Sequence, residues 1–224
     1  HIGKWHSGTD AGFGRDWDHQ IVWNRPRHPG NSPNYYHDQL LSIDGGEPRI
    51  VKGYSTDNYT RWAIDYIGGK NRDPEKPWFL WLCYGGVHAP YTPADRHRED
   101  YPDAKVATPA DIYPPRAGKP AWMQDVAAWA EGPDGEPVLA RKALGKEVGD
   151  DTSRDQGRTL SSWVRQYHQA VRSLDEGIGE VLAALESSGQ LENTLVVFTS
   201  DQGYAWGQHG FRAKLAPYDA NIRS

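Results

Sequence analysis

Sulfur is scarce in this sequence, which has a single cysteine, Cys83, and a single methionine among 224 residues. One cysteine excludes an internal disulfide framework. Cys83 ends the apolar run Trp78–Cys83, a setting that favours a small buried hydrophobe over a nucleophile. No apolar run approaches the about 20 residues that a membrane-spanning helix needs, so no membrane span is expected.

A strong net charge is also missing. The formal net charge of −5 gives no electrostatic reason to expect nucleic acid binding. Internal repeats and low-complexity tracts do not occur. Aromatic residues, in contrast, are abundant: ten tryptophans and twelve tyrosines exclude a disordered chain, and the length suits one substantial core.

The clearest periodic segments alternate between helix and strand. Helical spacing of apolar residues predicts a helix that follows the cap candidates at 55–57 and ends at Gly68-Gly69, and the run Trp78–Cys83 predicts a strand buried on both faces. An apolar stripe from Trp163 to Leu185 predicts a second helix, with the strand Leu195–Thr199 after it. This order is typical of an α/β fold.

The remaining segments lack sustained periodicity. Residues 1–50 are dense in glycine, proline, histidine and aromatics, which predicts long ordered loops with short elements. The stretch 94–160 is rich in proline, glycine and charge, which is typical of a functional insertion or a mobile region. We expect this insertion to lie on the substrate side.

Both predicted strands lead into polar loops, one with His88 and one with Asp201. Ligands of open α/β sheets bind outside the carboxyl ends of the strands, so His88 and Asp201 are expected in one cleft. Asp201 and Gln202 offer two hard oxygen ligands for Ca²⁺ or Mg²⁺, too few for either ion. Taken alone, the pattern favours an aspartate that caps its turn; the other motifs reverse that preference.

Basic side chains in and near these loops offer groups that could act on an anionic substrate. Lys4 and His6 stand two positions apart, so in an extended segment their side chains project to the same side. His88 has an imidazole suited to general acid chemistry near neutral pH, although a structural loop histidine fits the local sequence equally well. Lys214 offers an ammonium group that could spread oxyanion charge.

In chain order, these motifs resemble the type I sulfatases, the formylglycine-dependent branch of the alkaline phosphatase superfamily. The matching stretches are Gly3-Lys4-Trp5-His6, Lys76-Pro77-Trp78-Phe79-Leu80 with His88-Ala89-Pro90, Ser200-Asp201-Gln202-Gly203, and Gly207-Gln208-His209-Gly210 with Lys214. Val87, Gln208 and Asp219 depart mildly from the family pattern. The resemblance implies a three-layer α/β/α fold with a mostly parallel central sheet, incomplete at both ends, and one partial catalytic domain over 1–224.

The resemblance also implies roles for four catalytic residues. Lys4 would contact the formylglycine and the sulfate, and His6 would orient the formylglycine hydroxyls. His88 would bind sulfate and is a candidate proton donor to the leaving oxygen, and Lys214 would neutralise sulfate oxygens. His209 is interpreted as structural.

For cofactors, the resemblance implies Ca²⁺, with Mg²⁺ as the alternative, held in part by Asp201 and Gln202. The nucleophile motif, Cys or Ser followed by x-Pro-x-Arg, does not occur in the sequence, and no Asp-Asp pair precedes Lys4. The formylglycine would therefore lie outside these residues, which would be an internal part of a sulfatase and inactive alone.

The function implied is hydrolysis of sulfate esters, of a sulfated carbohydrate or an aryl sulfate, in the periplasm or outside the cell. Two alternatives stay open: a phosphonate or phosphate ester hydrolase of the same superfamily, and a non-catalytic glycan-binding homologue. The intact set Lys4, His6, His88, Asp201 and Lys214 argues against the second, because binding alone does not require all five. The sequence predicts no oligomeric state.

Overall fold

A computed structural model of the protein describes residues 1–31, 34–140, 142–143, 146–147, 159–214 and 216–223. The chain divides into two compact units. The first comprises His1–Arg98 and Gln169–Leu195, and the second comprises Glu99–His168 and Val196–Ser224. No helix of the described residues is long and apolar enough to cross a membrane.

The first unit is built on a five-stranded sheet in the order β4-β3-β2-β1-β5. The strands are β1 (Ile2–Trp5), β2 (Ile21–Asn24), β3 (His37–Ile43), β4 (Arg49–Tyr54) and β5 (Leu82–Cys83). Strand β1 pairs in parallel with β2 and β5, whereas β3 is antiparallel to β2 and to β4. The α/β class is confirmed, and the described sheet is mixed.

Helix α1 (Ser55–Ile67) packs on this sheet, and helix α2 (Leu160–Ser187) begins in the second unit and continues into the first. Both helices form where the apolar spacing predicts them. The predicted cap residues lie inside the first turn of α1, because the N-cap is Tyr54 and makes no side-chain cap bond. Gly69 and Gly189, just past the helix ends, have φ values of 97° and 70°, which favour glycine.

The core of the first unit joins the sheet to both helices. Its buried members include Ile2 and Trp23 from the sheet, Tyr59 and Ala63 from α1, and Ala170 from α2. Burial of large apolar side chains is the main stabilising term for such a unit. The sheet is therefore held at a fixed position relative to α1, and the carboxyl ends of β1 and β5 emerge from it side by side.

The second unit contains short hairpins. They are β6 (Trp129–Glu131) with β7 (Pro137–Leu139), β8 (Lys142–Ala143) with β9 (Lys146–Glu147), and β10 (Ala205–Trp206) with β11 (Arg212–Ala213), all antiparallel. A short helix, α3 (Asp219–Ile222), follows. Trp163 and Met123 are fully buried here, and the Arg212 guanidinium lies 5.2 Å from the Trp163 ring.

One strand prediction is confirmed only at the end of its run, and another is wrong. Within Trp78–Cys83 only Leu82 and Cys83 pair, on one side, and Phe79 and Trp81 are 71% and 47% exposed. The stretch Leu195–Thr199 forms no strand among the described residues, and Leu195 is 89% exposed. Outside Leu82–Cys83, neither run belongs to a strand among the described residues, and large apolar side chains of both runs are exposed.

Residues 1–50 are predicted as ordered loops with short elements, and the short strands β1 and β2 fall within that range together with the longer β3. Two of these strands have only four residues, too few for a period of two to be recognised. Their pairing, rather than their own sequence, makes them strands.

Candidate active site

In the first unit, the topology brings Lys4 and His88 to one edge of the sheet. Lys4 lies near the carboxyl end of β1, and His88 lies in the loop after β5, which runs parallel to β1. Strand β3 runs the opposite way to β2, so its amino end, preceded by Tyr35, lies at the same edge. The sequence did not single out Tyr35.

Tyr35 contacts both predicted site residues. Its ring stacks on the His88 imidazole, with centroids 3.9 Å apart and planes 5° apart. The Lys4 ammonium lies 5.5 Å from the centroid of the same ring, within reach of a cation–π interaction. The structure thus brings Lys4 and His88 together through a third side chain.

The His88 loop is held by hydrogen bonds to the backbone and to the imidazole of His88. The Tyr36 hydroxyl donates to the His88 carbonyl oxygen, and the His88 N–H donates to the Gly85 carbonyl at 3.2 Å. The Nδ1 atom of His88 lies 2.7 Å from the Ala89 carbonyl oxygen. A carbonyl only accepts, so Nδ1 carries the proton of this hydrogen bond.

Other residues of this edge differ in exposure. Lys4 is half-buried, whereas His6 is exposed just beyond the end of β1. Cys83 is half-buried, and burial raises the pKa of its thiol to about 11. A thiol with so high a pKa is a poor nucleophile near neutral pH, in agreement with the structural role expected for Cys83.

In the second unit, the β10–β11 hairpin brings the Asp201-Gln202 loop close to Lys214. Ala205 pairs with Ala213, so the residues just before β10 and just after β11 lie at the open end of the hairpin. Asn221 of α3 connects the two: its carbonyl accepts from the Gly203 N–H at 3.1 Å, and its side-chain amide donates to the Ala213 carbonyl. The local sequence gives no sign of this role for Asn221.

Gly203 is required by this arrangement. A Cβ atom there would lie 2.5 Å from the Ala220 carbonyl oxygen, too close for any other residue. The glycine of the Asp201-Gln202-Gly203 motif thus lets the loop approach α3. Asp201 is exposed, and Gln202 and Lys214 are half-buried.

His209 lies in the loop that joins β10 to β11 and is bound by Asp111. Its backbone N–H donates to one Asp111 carboxylate oxygen at 3.0 Å, and its Nδ1 atom lies 2.5 Å from the other. Burial opposes ionisation of Asp111, but the hydrogen bonds from His209 outweigh it and lower the pKa of this carboxyl. His209 also has a φ of 55°, so the pair fixes a strained turn.

The donor chemistry of Asp201 and Gln202 fits part of a Ca²⁺ site. A carboxylate and an amide oxygen are hard ligands, but Ca²⁺ takes about six to eight oxygens. Among the described residues, no group of three or more His, Cys, Asp or Glu side chains is placed to hold a metal ion. Further ligands must come from outside this pair.

Comparisons with known proteins agree with these motifs. The sequence model of the family described as Sulfatase matches residues 1–223. The N-acetylglucosamine-6-O-sulfatase of Bacteroides thetaiotaomicron is 28% identical over 257 aligned positions, which cover 97% of this chain and 44% of that protein. The multifunctional alkaline phosphatase superfamily protein PehA of Trinickia caryophylli is 29% identical over 181 positions, which cover 75% of this chain and 31% of that protein.

The chain thus spans less than half the length of these relatives. Among solved structures, that of BT4656 in complex with its substrate D-glucosamine-2-N,6-O-disulfate superposes with a TM-score of 0.72 at 22% identity, covering 98% of this chain and 50% of that chain. This similarity confirms an alkaline phosphatase-like α/β fold. Because the family match spans nearly every residue, the chain belongs to the sulfatase family of the alkaline phosphatase superfamily.

Proposed function

We propose that the complete protein hydrolyses sulfate esters. The observation that carries this proposal is the meeting of Lys4 and His88 on Tyr35, at the edge of the sheet where α/β proteins bind ligands, in a chain of the sulfatase family. An ammonium and an imidazole side by side are suited to a sulfate ester, whose oxygens are anionic and whose leaving group needs a proton.

The roles of the individual residues follow from their chemistry. Lys4 and Lys214 neutralise sulfate oxygens and the charge that develops in the transition state. As an imidazolium, His88 gives its Nε2 proton to the leaving oxygen, while the proton on Nδ1 stays hydrogen-bonded to the Ala89 carbonyl. His6 orients the nucleophile, as the family resemblance implies.

The proposal also includes a Ca²⁺ ion and a formylglycine nucleophile. Asp201 and Gln202 would hold Ca²⁺, which supplies electrostatic stabilisation of sulfate oxygen charge when bound. The nucleophile would be a formylglycine that is not among these residues. Every other contribution named above comes from side chains of this chain.

For the substrate, we propose a sulfated carbohydrate, with a 6-O-sulfated glucosamine as the first compound to test. The similarity to an N-acetylglucosamine-6-O-sulfatase supports this class. The region 94–160 would form the substrate-side insertion that sets specificity. Periplasmic or extracellular location belongs to the same proposal and rests on the family resemblance.

The test compares 4-nitrophenyl sulfate, 4-nitrophenyl phosphate and N-acetylglucosamine-6-sulfate with the complete protein. We expect sulfate hydrolysis to dominate, and Lys214→Met to lower kcat/KM by about 10²-fold or more because oxyanion charge loses its counter-charge. Lys76→Met, which changes an exposed lysine paired with Asp73, is the matched control. Absence of sulfate hydrolysis by the wild-type protein would contradict the proposal.

A phosphonate or phosphate ester hydrolase is the second candidate, favoured by the similarity to a multifunctional member of the superfamily. The same assay decides between them. A kcat/KM for the phosphate ester that exceeds that for the sulfate ester would favour this second function.

A further inference from the structure

Tyr35 is a buried side chain whose ring touches two predicted site residues. Its ring lies 3.9 Å from the imidazole of His88 and 5.5 Å from the ammonium nitrogen of Lys4. Only 2% of Tyr35 is exposed. Because water is excluded from this ring, its contacts are with protein groups, and solvent does not weaken them.

Tyr35 is itself held at several points. Its carbonyl oxygen accepts hydrogen bonds from the Gln39 amide at 3.0 Å and from the Ser55 hydroxyl at 2.8 Å. The Arg25 guanidinium donates to its phenol oxygen at 3.3 Å, and its ring packs on Trp23 with centroids 4.7 Å apart. Burial raises the pKa of the phenol, so Tyr35 stays neutral at working pH.

A fixed ring restrains its two neighbours in different ways. Parallel stacking prevents the His88 imidazole from tilting out of its plane, and the Nδ1 bond to Ala89 sets which nitrogen faces away from the loop. The electron-rich face of a tyrosine attracts an ammonium group, which favours one location for the Lys4 side chain. A lysine side chain otherwise populates many rotamers. The contact with Tyr35 therefore lowers the conformational entropy that Lys4 would lose when substrate binds.

We propose that Tyr35 is a positioning residue that sets the geometry of His88 and Lys4 for proton donation and sulfate binding. The inference rests on the proposed function. In the step concerned, the sulfur–oxygen ester bond breaks and its electron pair passes to the alcohol oxygen. That oxygen takes the Nε2 proton of the His88 imidazolium, which becomes a neutral imidazole that keeps its Nδ1 proton. In net hydrolysis water supplies the new oxygen on sulfur and the proton that recharges His88.

The leaving group distinguishes this role from a structural one. A nitrophenol departs as its anion and needs little protonation, whereas phenol needs much more. A variant that misplaces His88 should therefore lose rate mainly with phenyl sulfate. A variant that only unfolds part of the protein should lose rate equally with both substrates.

The experiment uses the complete protein and three variants: Tyr35→Leu, Tyr35→Phe and Tyr66→Leu. Tyr35→Leu is expected to lower kcat for phenyl sulfate about 100-fold and kcat for 4-nitrophenyl sulfate less than about tenfold. Tyr35→Phe keeps the ring and should restore both rates to within about threefold of wild type. Tyr66 stacks on His19, with centroids 6.2 Å apart and planes 8° apart, so Tyr66→Leu is the matched control and should preserve both rates.

Histidine-labelled wild-type protein gives a second measurement that does not depend on a variant that folds. The ring current of a stacked tyrosine should shift the carbon-bound imidazole protons of His88 upfield, and Tyr35→Phe should preserve the shift. Absence of that shift, equal rate losses with both substrates, or a Tyr35→Phe variant as slow as Tyr35→Leu would overturn the inference. Failure of the wild-type protein to hydrolyse any sulfate ester would instead contradict the proposed function.

Discussion

At the scale of single residues, Asp201 and Gln202 contribute two hard oxygen ligands from one loop. We predict that Asp201→Asn in the complete protein raises the Ca²⁺ concentration needed for half-maximal binding by at least about tenfold, because a charged ligand becomes neutral. Calcium titration followed by calorimetry measures this change without an activity assay. Asp134→Asn, on an exposed hairpin carboxylate, should leave the titration unchanged. An unchanged titration for Asp201→Asn would remove this residue from the metal site.

Asp111 gives a pH prediction. Its pKa is lowered below the ordinary value of 3.8, so its hydrogen bonds to His209 stabilise the folded state above that pH, and this contribution is lost as the pH falls through the folded-state pKa. We predict that Asp111→Asn reduces the loss of unfolding free energy between neutral pH and pH values below 3.8. Urea unfolding at neutral pH and at a pH below 3.8 measures the two free energies of unfolding. An identical loss of unfolding free energy in wild type and variant would contradict the prediction.

Lys4 and His88 could be predicted from the sequence because their residue types and the spacing of their motifs indicate a chemical role. Tyr35 and Asn221 act through shape and through backbone hydrogen bonds, and nothing in their local sequence separates them from other tyrosines or asparagines. Tyr35 becomes visible only when β3 is known to run antiparallel to β2, which brings its amino end to the Lys4 edge. Contacts of this kind depend on pairing between distant segments, which one sequence does not encode locally.

At the scale of elements, helix α2 offers a prediction through two of its glycines. Gly177 faces α1, and a Cβ atom there would overlap the Thr60 hydroxyl and lie 3.3 Å from the Tyr84 hydroxyl. A Cβ atom added at Gly179 would meet no heavy atom of the described residues within 4 Å beyond its own helix backbone. We predict that Gly179→Ala stabilises the protein by about 1 kcal/mol, because alanine is the better helix former.

Gly177→Ala should instead destabilise by about 1–3 kcal/mol, because the added methyl group forces the packed helices apart and disturbs the Thr60–Tyr84 hydrogen bond of 2.9 Å. Equilibrium urea unfolding of the two variants measures the change in free energy of unfolding that each substitution causes. Equal stabilisation by both alanines would show that the close approach of Gly177 to Thr60 does not constrain the fold.

The helices could be predicted and several strands could not, for the same physical reason. The apolar stripe of α2 is a property of 28 consecutive residues, so it is visible in the sequence. Strands β1 and β2 have four residues each and exist because they pair. Conversely, Leu195–Thr199 has strong strand propensity but no pairing partner among the described residues, and remains irregular and exposed.

At the scale of the whole molecule, the predicted site residues divide between the two units. Lys4, His6 and His88 belong to the first, and Asp201, Gln202 and Lys214 to the second. Each unit arranges its own set, around Tyr35 in one and Asn221 in the other. That His88 and Asp201 share one cleft therefore stays a prediction from strand order.

The 224-residue chain by itself provides the last prediction. It contains no Cys or Ser followed by x-Pro-x-Arg, and Cys83, with a pKa raised to about 11 by burial, is no substitute nucleophile. Asp201 and Gln202 supply two of the about six to eight oxygens that Ca²⁺ takes. We therefore expect this polypeptide to hydrolyse 4-nitrophenyl sulfate no faster than buffer, with or without added Ca²⁺, although circular dichroism should show it folded. The complete protein, assayed in parallel, is the positive control. Calcium-dependent turnover by the 224 residues, abolished by Lys214→Met, would mean that these residues form a complete site and that the assignment of the motifs is wrong.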